Sequence, residues 1–314
     1  MNSKKTVTIF SPATVANVNC GFDVLGFAIE GMGDIITLTK VPKNGIRITS
    51  ITGATLPLEA SKNVAGVAGL AMLEYLKVDF GFELQIKKGI PLGSGTGGSA
   101  ASAAAVVFGI NQFLENPLSL EELAYFGMKG EVVASGNEHA DNVAPAIFGG
   151  FTLIPGYDPF EVVSLPTPAN LYVTIIHPHL VINTKDAREI LPKVVPLQHA
   201  IQQAGYLAGF VSGLYTSNYN LISRSLKDVL IEPYRKELLP LFDKAKNIAL
   251  QTGALGFGIS GSGPSMFALC KGEEIADAVS EKLNSLYQTS EIKIDTHVSK
   301  VSEKGSRVIS VYEE

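Results

Sequence analysis

Residues 91–102 read P-L-G-S-G-T-G-G-S-A-A-S, and this stretch decides the interpretation of the chain. Its four glycines, Gly93, Gly95, Gly97 and Gly98, allow positive φ angles and leave no Cβ between the backbone N–H groups and a ligand. The residues that follow are mostly Ala, Ser and Val, which predicts a closely packed helix. The N-terminus of such a helix offers N–H donors and the positive end of its dipole. The stretch therefore predicts a phosphate-binding loop with a nucleotide as its ligand.

Two other kinds of glycine loop fit this stretch less well. Gly93, Gly95 and Gly98 match G-x-G-x-x-G, but a dinucleotide-binding loop needs an acidic residue at the end of the next strand, about 20 residues on. The acidic residues at that distance lie in a polar segment of helical character. A Walker loop ends in G-K-[ST], and no lysine occurs between Lys88 and Lys129. A glycine-rich turn that only packs is the remaining alternative, although four glycines cost backbone entropy without adding contacts.

The composition is typical of a globular enzyme that acts on small molecules. Of the 314 residues, 46% are hydrophobic and 18% are charged, and the net charge is −5 with no basic run. These values argue against nucleic acid as the main partner. No run of about 18 apolar residues could span a membrane. Cys20 and Cys270 are too few for a disulfide scaffold, so we expect two buried thiols in a cytoplasmic protein without a membrane partner.

The hydrophobic periodicity indicates an α+β fold with its strands grouped together. Strands are predicted over 6–10, 35–41, 45–51, 82–90, 171–176, 256–269 (with a turn) and 291–301. Helices are predicted over 61–77, 98–108, 119–135, 184–191, 196–214, 234–251 and 275–287. A doubly wound sheet would alternate strands and helices strictly, which this order does not. Four prolines between 155 and 168 mark a domain boundary, which divides the chain into domains 1–158 and 159–314.

Three separated motifs resemble those of the GHMP small-molecule kinases. They are Ser11–Gly26 (S-P-A-T-V-A-N-V-N-C-G-F-D-V-L-G), Pro91–Ser102, and Gly258–Leu269 (G-I-S-G-S-G-P-S-M-F-A-L). Two further segments, Gly136–Gly150 and the T-K-D-A-R-E-I-L-P stretch from Thr184, resemble the homoserine kinase branch of that family. The resemblance implies an N-terminal ATP-binding domain of the ribosomal S5 type, with a left-handed βαβ unit, and a C-terminal α+β domain.

The resemblance also implies which residues bind ATP and Mg²⁺. Asn63 matches a position that contacts adenine, and the loop around the triphosphate comprises Pro91, Leu92, Gly93, Ser94, Gly95, Thr96, Gly97, Gly98, Ser99, Ala100 and Ala101. Ser99 and Glu131 match the Mg²⁺ ligands, and Mg²⁺ prefers one or two protein oxygens together with phosphates and waters. The family loop usually reads G-L-G-S-S-A-A, whereas Thr96 and Gly98 replace its Leu and first Ser here. That difference leaves the metal to Ser99.

For the phosphate acceptor, the resemblance implies a site for L-homoserine. Its residues would be Asn17, Asp23, His139, Asn142, Thr184, Arg188, Arg235 and Gly261. Asp23 suits the ammonium of an amino acid, and the two arginines suit its carboxylate because a guanidinium donates in a fork. Gly261, Ser262 and Gly263 would close the site from the second domain. The implied enzyme is a homodimeric, ATP-dependent homoserine kinase of threonine biosynthesis, yielding O-phospho-L-homoserine.

Several of these residues have simpler interpretations. Asp23 could cap a helix that starts at Val24, and His139 could be a structural hydrogen-bonding residue. Arg235 could form a solvated ion pair with its neighbours Glu232 and Glu237, worth under about 1 kcal/mol. His177 and His179 resemble a metal-binding pair, but with no third ligand nearby we expect them at the surface end of a strand.

The predicted catalytic role of Asn142 follows from its position relative to Gly149. Related kinases with an aspartate base carry it seven residues before a G-G pair, and that position is Asn142 here, an amide that cannot accept a proton. Asp141 is one residue away and is the alternative base. Two alternatives remain open for the whole protein. One is a GHMP kinase acting on mevalonate, shikimate or a sugar, and the other is a non-catalytic protein of this fold that binds a metabolite.

Overall fold

The computed structural model describes residues 4–136 and 138–313, which form two β-sheets with helices packed against them. The strands are β1 (Lys4–Ala16), β2 (Leu25–Val41), β3 (Gly45–Thr52), β4 (Gly81–Lys87), β5 (Phe151–Tyr157), β6 (Phe160–Leu165), β7 (Leu171–Pro178), β8 (Gly256–Ile259), β9 (Met266–Lys271), β10 (Ile294–Lys300) and β11 (Arg307–Glu313). The helices are α1 (Val64–Leu76), α2 (Gly98–Asn111), α3 (Leu120–Ser135), α4 (Val143–Phe148), α5 (Thr184–Glu189), α6 (Leu197–Tyr215), α7 (Tyr219–Ser225), α8 (Glu232–Arg235), α9 (Phe242–Thr252) and α10 (Glu273–Gln288). Within these ranges no helix is both long and apolar enough to cross a membrane.

The larger sheet has seven strands and carries the glycine loop. Its main path runs β11-β1-β2-β4-β3, and β5 joins β2 and β6 at one end. β3 and β4 are parallel and are connected through α1, which makes a βαβ crossover. α1 and α2 cover one face of this sheet and α3 packs on both helices, with Leu38, Phe82, Met72 and Val106 in their common core. The glycine loop follows β4 directly and leads into α2.

Helix α2 lies against the sheet at very short range because its side chains are small. Eleven of its fourteen residues are buried, and most of these are Ala or Val. At Gly109, a Cβ would lie 2.3 Å from Cδ1 of Leu38 on β2. This close packing fixes the N-terminus of α2 with respect to β2 and β4.

The smaller sheet is antiparallel, in the order β10-β7-β9-β8, and α9 and α10 cover one face. A second hydrophobic cluster joins it to the larger sheet. In that cluster the Phe27 ring on β2 contacts Phe151 on β5, with centroids 4.9 Å apart, and Phe267 on β9, with centroids 6.0 Å apart. Burial of several aromatic rings between the sheets holds the two halves of the chain together.

The structure differs from the predicted secondary structure in several places, and helix α4 and strands β5 and β6 are among the elements that were not predicted. The helix predicted over 234–251 is two helices, because Pro240 lacks an N–H group and keeps Leu239 extended, while Leu241 adopts a positive φ of 65°. Helix α7 was not expected. The strand predicted to be the last, over 291–301, is followed by β11, which returns to the edge of the larger sheet beside β1.

The position of the predicted domain boundary can be compared with the sheets. Residues 158 and 159 lie in the turn between β5 and β6, and both strands belong to the larger sheet. The smaller sheet begins at Leu171. The division into domains 1–158 and 159–314 stays a prediction, and the hand of the βαβ crossover stays an expectation from the resemblance.

Candidate active site

A single cavity of about 410 Å³ brings together most of the predicted site residues. The predicted residues that line it are Asn17, Asp23, Asn63, Pro91, Leu92, Gly93, Ser94, Gly95, Gly97, Gly98, Ser99, Glu131, His139, Asn142, Thr184, Arg188, Arg235 and Gly261. Thr96, Ala100 and Ala101 do not line it. The Thr96 hydroxyl is buried against that of Ser94 at 2.7 Å, and the side chains of the two alanines lie in the core. The Ala101 N–H donates to Gly97 O within the helix, so this residue does not offer a donor to a ligand.

The glycine loop uses the conformational freedom that its composition predicts. Gly93, Gly95 and Gly97 have φ angles of 65°, 81° and 70°. A Cβ on Gly97 would lie only 2.0 Å from the Thr14 hydroxyl oxygen. Gly97 is the residue that precedes α2, the first N–H groups of that helix have no intrahelical partners, and Gly98 and Ser99 line the cavity. This geometry suits the phosphates of a nucleotide.

Residues of the motif Gly258–Leu269 form hydrogen bonds with the backbone of the glycine loop. The Ser265 N–H donates to Ser94 O at 3.0 Å, and the Ser260 hydroxyl donates to Gly95 O at 2.8 Å. A Cβ on Gly95 would lie 2.6 Å from Ser260 O. From the sequence we expected this motif to close the acceptor site, and Gly261 and Ser262 do line the cavity. Its contacts with the glycine loop were not expected.

Ser99 and Glu131 face each other beside the glycine loop. The Ser99 hydroxyl, in the first turn of α2, donates to Oε2 of Glu131 on α3 at 3.0 Å. Ser119 and Glu122 form a capping box at the start of α3, so the helix that carries Glu131 has a well-defined N-terminus. Burial raises the pKa of Glu131 to about 7, against the opposing effects of the Ser99 hydrogen bond and the Lys88 charge. These two oxygen donors fit a hard cation such as Mg²⁺.

A buried ion pair that the sequence did not reveal lies against the start of α2. The Lys88 ammonium contacts the Asp34 carboxylate, and it donates to Gly98 O at 2.6 Å and to the Ser102 hydroxyl at 2.8 Å. Asp34 accepts further hydrogen bonds, from the N–H of Gly89 at 3.0 Å among others. The antiparallel register of β2 and β4 brings these positions together. The ion pair therefore ties the first turn of α2 to both strands.

The wall of the cavity also contains a cluster of charged side chains, those of Asp23, Arg188 and Arg235. The Arg188 guanidinium donates to both oxygens of the Asp23 carboxylate at 2.8 and 3.0 Å. Arg235, 3% exposed, donates to Ala187 O at 3.1 Å and to Gly261 O at 3.0 Å. Burial, and after it the charge of Arg188, lower the pKa of Arg235 to about 10, which leaves it charged at neutral pH.

The wall around these charged side chains also includes Asn17, Thr184 and Ser262. The Asn17 amide donates to Gly261 O at 2.8 Å, and its Oδ1 accepts from the Asp23 N–H at 3.0 Å. The hydroxyls of Thr184 and Ser262 are 3.2 Å apart. The bonds of Asn17 fix the backbone at Asp23, where φ is 61°.

These contacts exclude two of the simpler interpretations. No helix starts at Val24, because β2 begins at Leu25, so Asp23 caps nothing. Arg235 does not form a solvated ion pair, because its side chain is buried and its neighbour Glu232 pairs with Lys246 instead. His177 and His179 lie at the end of β7, where they contact Ser265 and Asp295. No cluster of metal-ligating side chains was found in the described part of the chain.

The cavity is also lined by His139, Asp141 and Asn142. The Asn142 Oδ1 accepts from the Thr14 hydroxyl at 2.7 Å, which leaves its N–H₂ group as the donor on the cavity side. Burial, together with the charges of Asp23 and Glu131, raises the pKa of Asp141 to about 7. The buried Nε2 of His139 has no hydrogen-bond partner among the described residues, and burial lowers the pKa of this side chain.

Asn63 has structural bonds that the sequence interpretation did not anticipate. Its Oδ1 accepts from the Ala65 N–H at 3.1 Å and caps α1, and its amide donates to Pro57 O at 3.0 Å. It still lines the cavity beside Leu56 and Val64. Adenine contact by Asn63 stays a prediction, and the structure shows its side chain holding the wall of that part of the cavity.

Comparison with known proteins agrees with this geometry. Residues 62–150 match the GHMP kinases N terminal domain, and residues 214–289 match the GHMP kinases C terminal domain. A homoserine kinase of Chlorobium phaeobacteroides (strain BS1) is 44% identical, over 97% of this chain and 100% of its own length. The homoserine kinase of Chlorobaculum tepidum is 43% identical, over 98% of this chain and 99% of its own.

Solved structures give the same result. The crystal structure of homoserine kinase from Cytophaga hutchinsonii superposes with a TM-score of 0.93 and 49% identity, over 98% of each chain. A mevalonate kinase of L. major shares the fold, with a TM-score of 0.71 at 15% identity, over 96% of this chain and 98% of its own. The chain therefore belongs to the GHMP kinase family and, within it, to the homoserine kinases.

Proposed function

We propose that the protein transfers the γ-phosphoryl group of ATP to the hydroxyl of L-homoserine, giving O-phospho-L-homoserine and ADP. One observation carries this proposal. A single cavity is lined both by a glycine loop at a helix N-terminus and by Asp23, Arg188 and Arg235. The glycine loop suits phosphates, and the three charged side chains suit the ammonium and carboxylate of an amino acid. The homoserine kinases that the chain resembles over nearly its full length support the identity of that amino acid.

In the proposed reaction the acceptor hydroxyl oxygen attacks the γ-phosphorus, and the bond from that phosphorus to the β–γ bridging oxygen breaks. The glycine loop holds the triphosphate, while the arginines and Asp23 fix the acceptor so that its hydroxyl points toward it. Phosphoryl transfer depends mainly on such positioning and on charge neutralisation. Neither half of the cavity would achieve this alone.

Mg²⁺ would be held by the Ser99 hydroxyl and the Glu131 carboxylate. Both are hard oxygen ligands and lie 3.0 Å apart, Ser99 in the first turn of α2 and Glu131 on α3. When bound, the ion neutralises charge on the transferred group. A nearby cation also favours the ionised form of Glu131, whose pKa burial raises.

The proton of the acceptor hydroxyl passes to the transferred phosphate in this proposal, without a side-chain base. Asn142 lies where related kinases carry an aspartate, and its amide can only donate on the cavity side. It would orient the acceptor oxygen. Asp141 is the competing candidate, and its variant is considered in the Discussion.

An acceptor panel tests the proposed function. The purified protein is incubated with ATP, Mg²⁺ and either homoserine, shikimate, mevalonate or galactose, and ADP release is followed against a reaction without acceptor. We expect release with homoserine alone. Equal rates with and without every acceptor would contradict the proposal and favour a protein that binds a metabolite without catalysis. Faster turnover of another acceptor would indicate a kinase with a different substrate.

We further infer a homodimer in the cytoplasm, the compartment that supplies ATP. Helix α6 supports the dimer because none of its nineteen residues is charged, and Leu197, Ile201 and Tyr215 are 75%, 64% and 61% exposed. A face without charge can pack on its own copy without like-charge repulsion. Sedimentation of the wild type and of Ile201→Glu tests this, and a wild-type monomer would contradict it.

A further inference from the structure

Phe22 contacts both Arg188 and Arg235, the two arginines proposed to bind the carboxylate of the acceptor. The Cζ atoms of Arg188 and Arg235 lie 5.3 and 5.1 Å from the centroid of its ring. These distances are within the range of cation–π attraction, which extends to about 6 Å. Every other aromatic ring with such a contact in the described residues has one cation, so Phe22 differs in holding two.

The surroundings of the two guanidinium groups explain why a ring is useful there. Asp23 compensates the charge of Arg188 directly. The hydrogen bonds of Arg235 go to two neutral carbonyls, those of Ala187 and Gly261, although its side chain is buried. Two like charges close together in a partly dry cavity repel one another. The negative face of an aromatic ring offsets this repulsion without adding a carboxylate that would compete with the acceptor.

We propose that Phe22 is a positioning residue that holds the Arg188 and Arg235 guanidinium groups together, so that both donate to one carboxylate of the acceptor. Phe22 then sets the selectivity for amino acids over alcohols that lack a carboxylate. This inference rests on the proposed function, because it takes the arginines as the acceptor site. A ring that served only as apolar packing would be replaced by leucine without this effect.

The test compares Phe22→Leu, which keeps an apolar side chain, with Phe22→Tyr, which keeps the ring. For each we measure KM for homoserine and for ATP, and kcat/KM for 3-amino-1-propanol, which is homoserine without its carboxylate. Loss of the ring should raise the homoserine KM by about tenfold. In Phe22→Leu, the KM for ATP and the kcat/KM for 3-amino-1-propanol should not change. Phe22→Tyr should behave like the wild type in all three measurements. Phe10→Leu is the matched control, because the Phe10 ring contacts Arg307 at 4.3 Å outside the cavity.

A crystal structure of Phe22→Leu gives a second readout that does not depend on the substrate. We expect the guanidinium groups of Arg188 and Arg235 to leave their wild-type positions. Unmoved arginines, or an unchanged homoserine KM, would overturn the role of Phe22 while the proposed function stands. An equal rise in the ATP KM would show a structural role and overturn it too. If the wild type does not phosphorylate homoserine, the proposed function fails, and the crystal structure still decides whether Phe22 positions the arginines.

Discussion

Arg188 and Asp23 form a two-pronged ion pair, with the guanidinium donating to both carboxylate oxygens at 2.8 and 3.0 Å. The side chain proposed to bind the ammonium of homoserine and a side chain proposed to bind its carboxylate therefore contact one another. An amino acid must bind beside this pair rather than between two separate charges. Because each group already compensates the other, the fold offsets much of the cost of removing these charges from water.

Replacement of Arg188 by lysine should weaken homoserine binding by about 1–3 kcal/mol, because a fork of donors becomes a point charge. The homoserine KM would rise about five- to 150-fold, while the ATP KM stays close to the wild-type value. 3-Amino-1-propanol, which keeps the hydroxyl and the ammonium of homoserine but lacks its carboxylate, should be a poor substrate of the wild type. An unchanged homoserine KM would remove Arg188 from the acceptor site.

Ser99→Ala and Glu131→Gln should each lower kcat by about 10²-fold or more, as expected when metal or phosphate positioning is lost. The measurement is the rate at saturating Mg²⁺, with circular dichroism to confirm the fold. Ser119→Ala is a control, since Ser119 caps the helix that carries Glu131. It should cost about 1 kcal/mol of stability without slowing the reaction. Near-normal activity in either site variant would show that the metal assignment is wrong.

Asp141→Asn distinguishes the two routes for the proton. A pKa of about 7 makes Asp141 a chemically suitable base near neutral pH. If the proton passes directly to the phosphate, the variant loses little activity and the acid limb of the pH–rate profile is unchanged, which is the result we expect. A drop of about 10³-fold or more, with that limb abolished, would show that Asp141 is the base.

The same substitution should stabilise the protein at high pH. The pKa of Asp141 lies at about 7 in the folded state, above the ordinary value of 3.8, so between these values the folded protein binds more protons than the unfolded chain. The free energy of unfolding therefore falls as the pH rises through this interval. Asn cannot ionise, and the variant should gain on the order of a few kcal/mol at about pH 8 and nothing at about pH 4. Urea unfolding of the variant and the wild type at both pH values measures this gain. The prediction is wrong if their free energies of unfolding differ by the same amount at about pH 8 and at about pH 4.

The sequence predicts those parts of the fold that depend on local patterns. The alternation in β1 to β4 and the small residues of α2 are visible in short windows of residues. Strand β11 was missed because all seven of its residues are exposed and only its pairing with β1 makes it a strand. The break before α9 could have been read from Pro240, which marks the end of a helix in many sequences.

The site divides in the same way. Motif residues such as Ser99 and Asp23 could be named because their chemistry lies within short segments. The Lys88–Asp34 ion pair joins positions far apart in the chain, and only the register of two strands brings them together. The bonds of Asn63 and the stacking on Phe22 likewise depend on packing that no single segment contains.

The support that Ser260 and Ser265 give to the glycine loop has a consequence for biosynthesis. Chains emerge from the ribosome N-terminus first, so the carbonyls of Ser94 and Gly95 receive these partners only after residues 260 and 265 have been translated. Strand β11, which completes the edge of the first sheet, follows later still. The glycine loop therefore acquires this support late in synthesis relative to its own translation, and a nascent chain cut before residue 260 carries the loop without the groups that hold its shape.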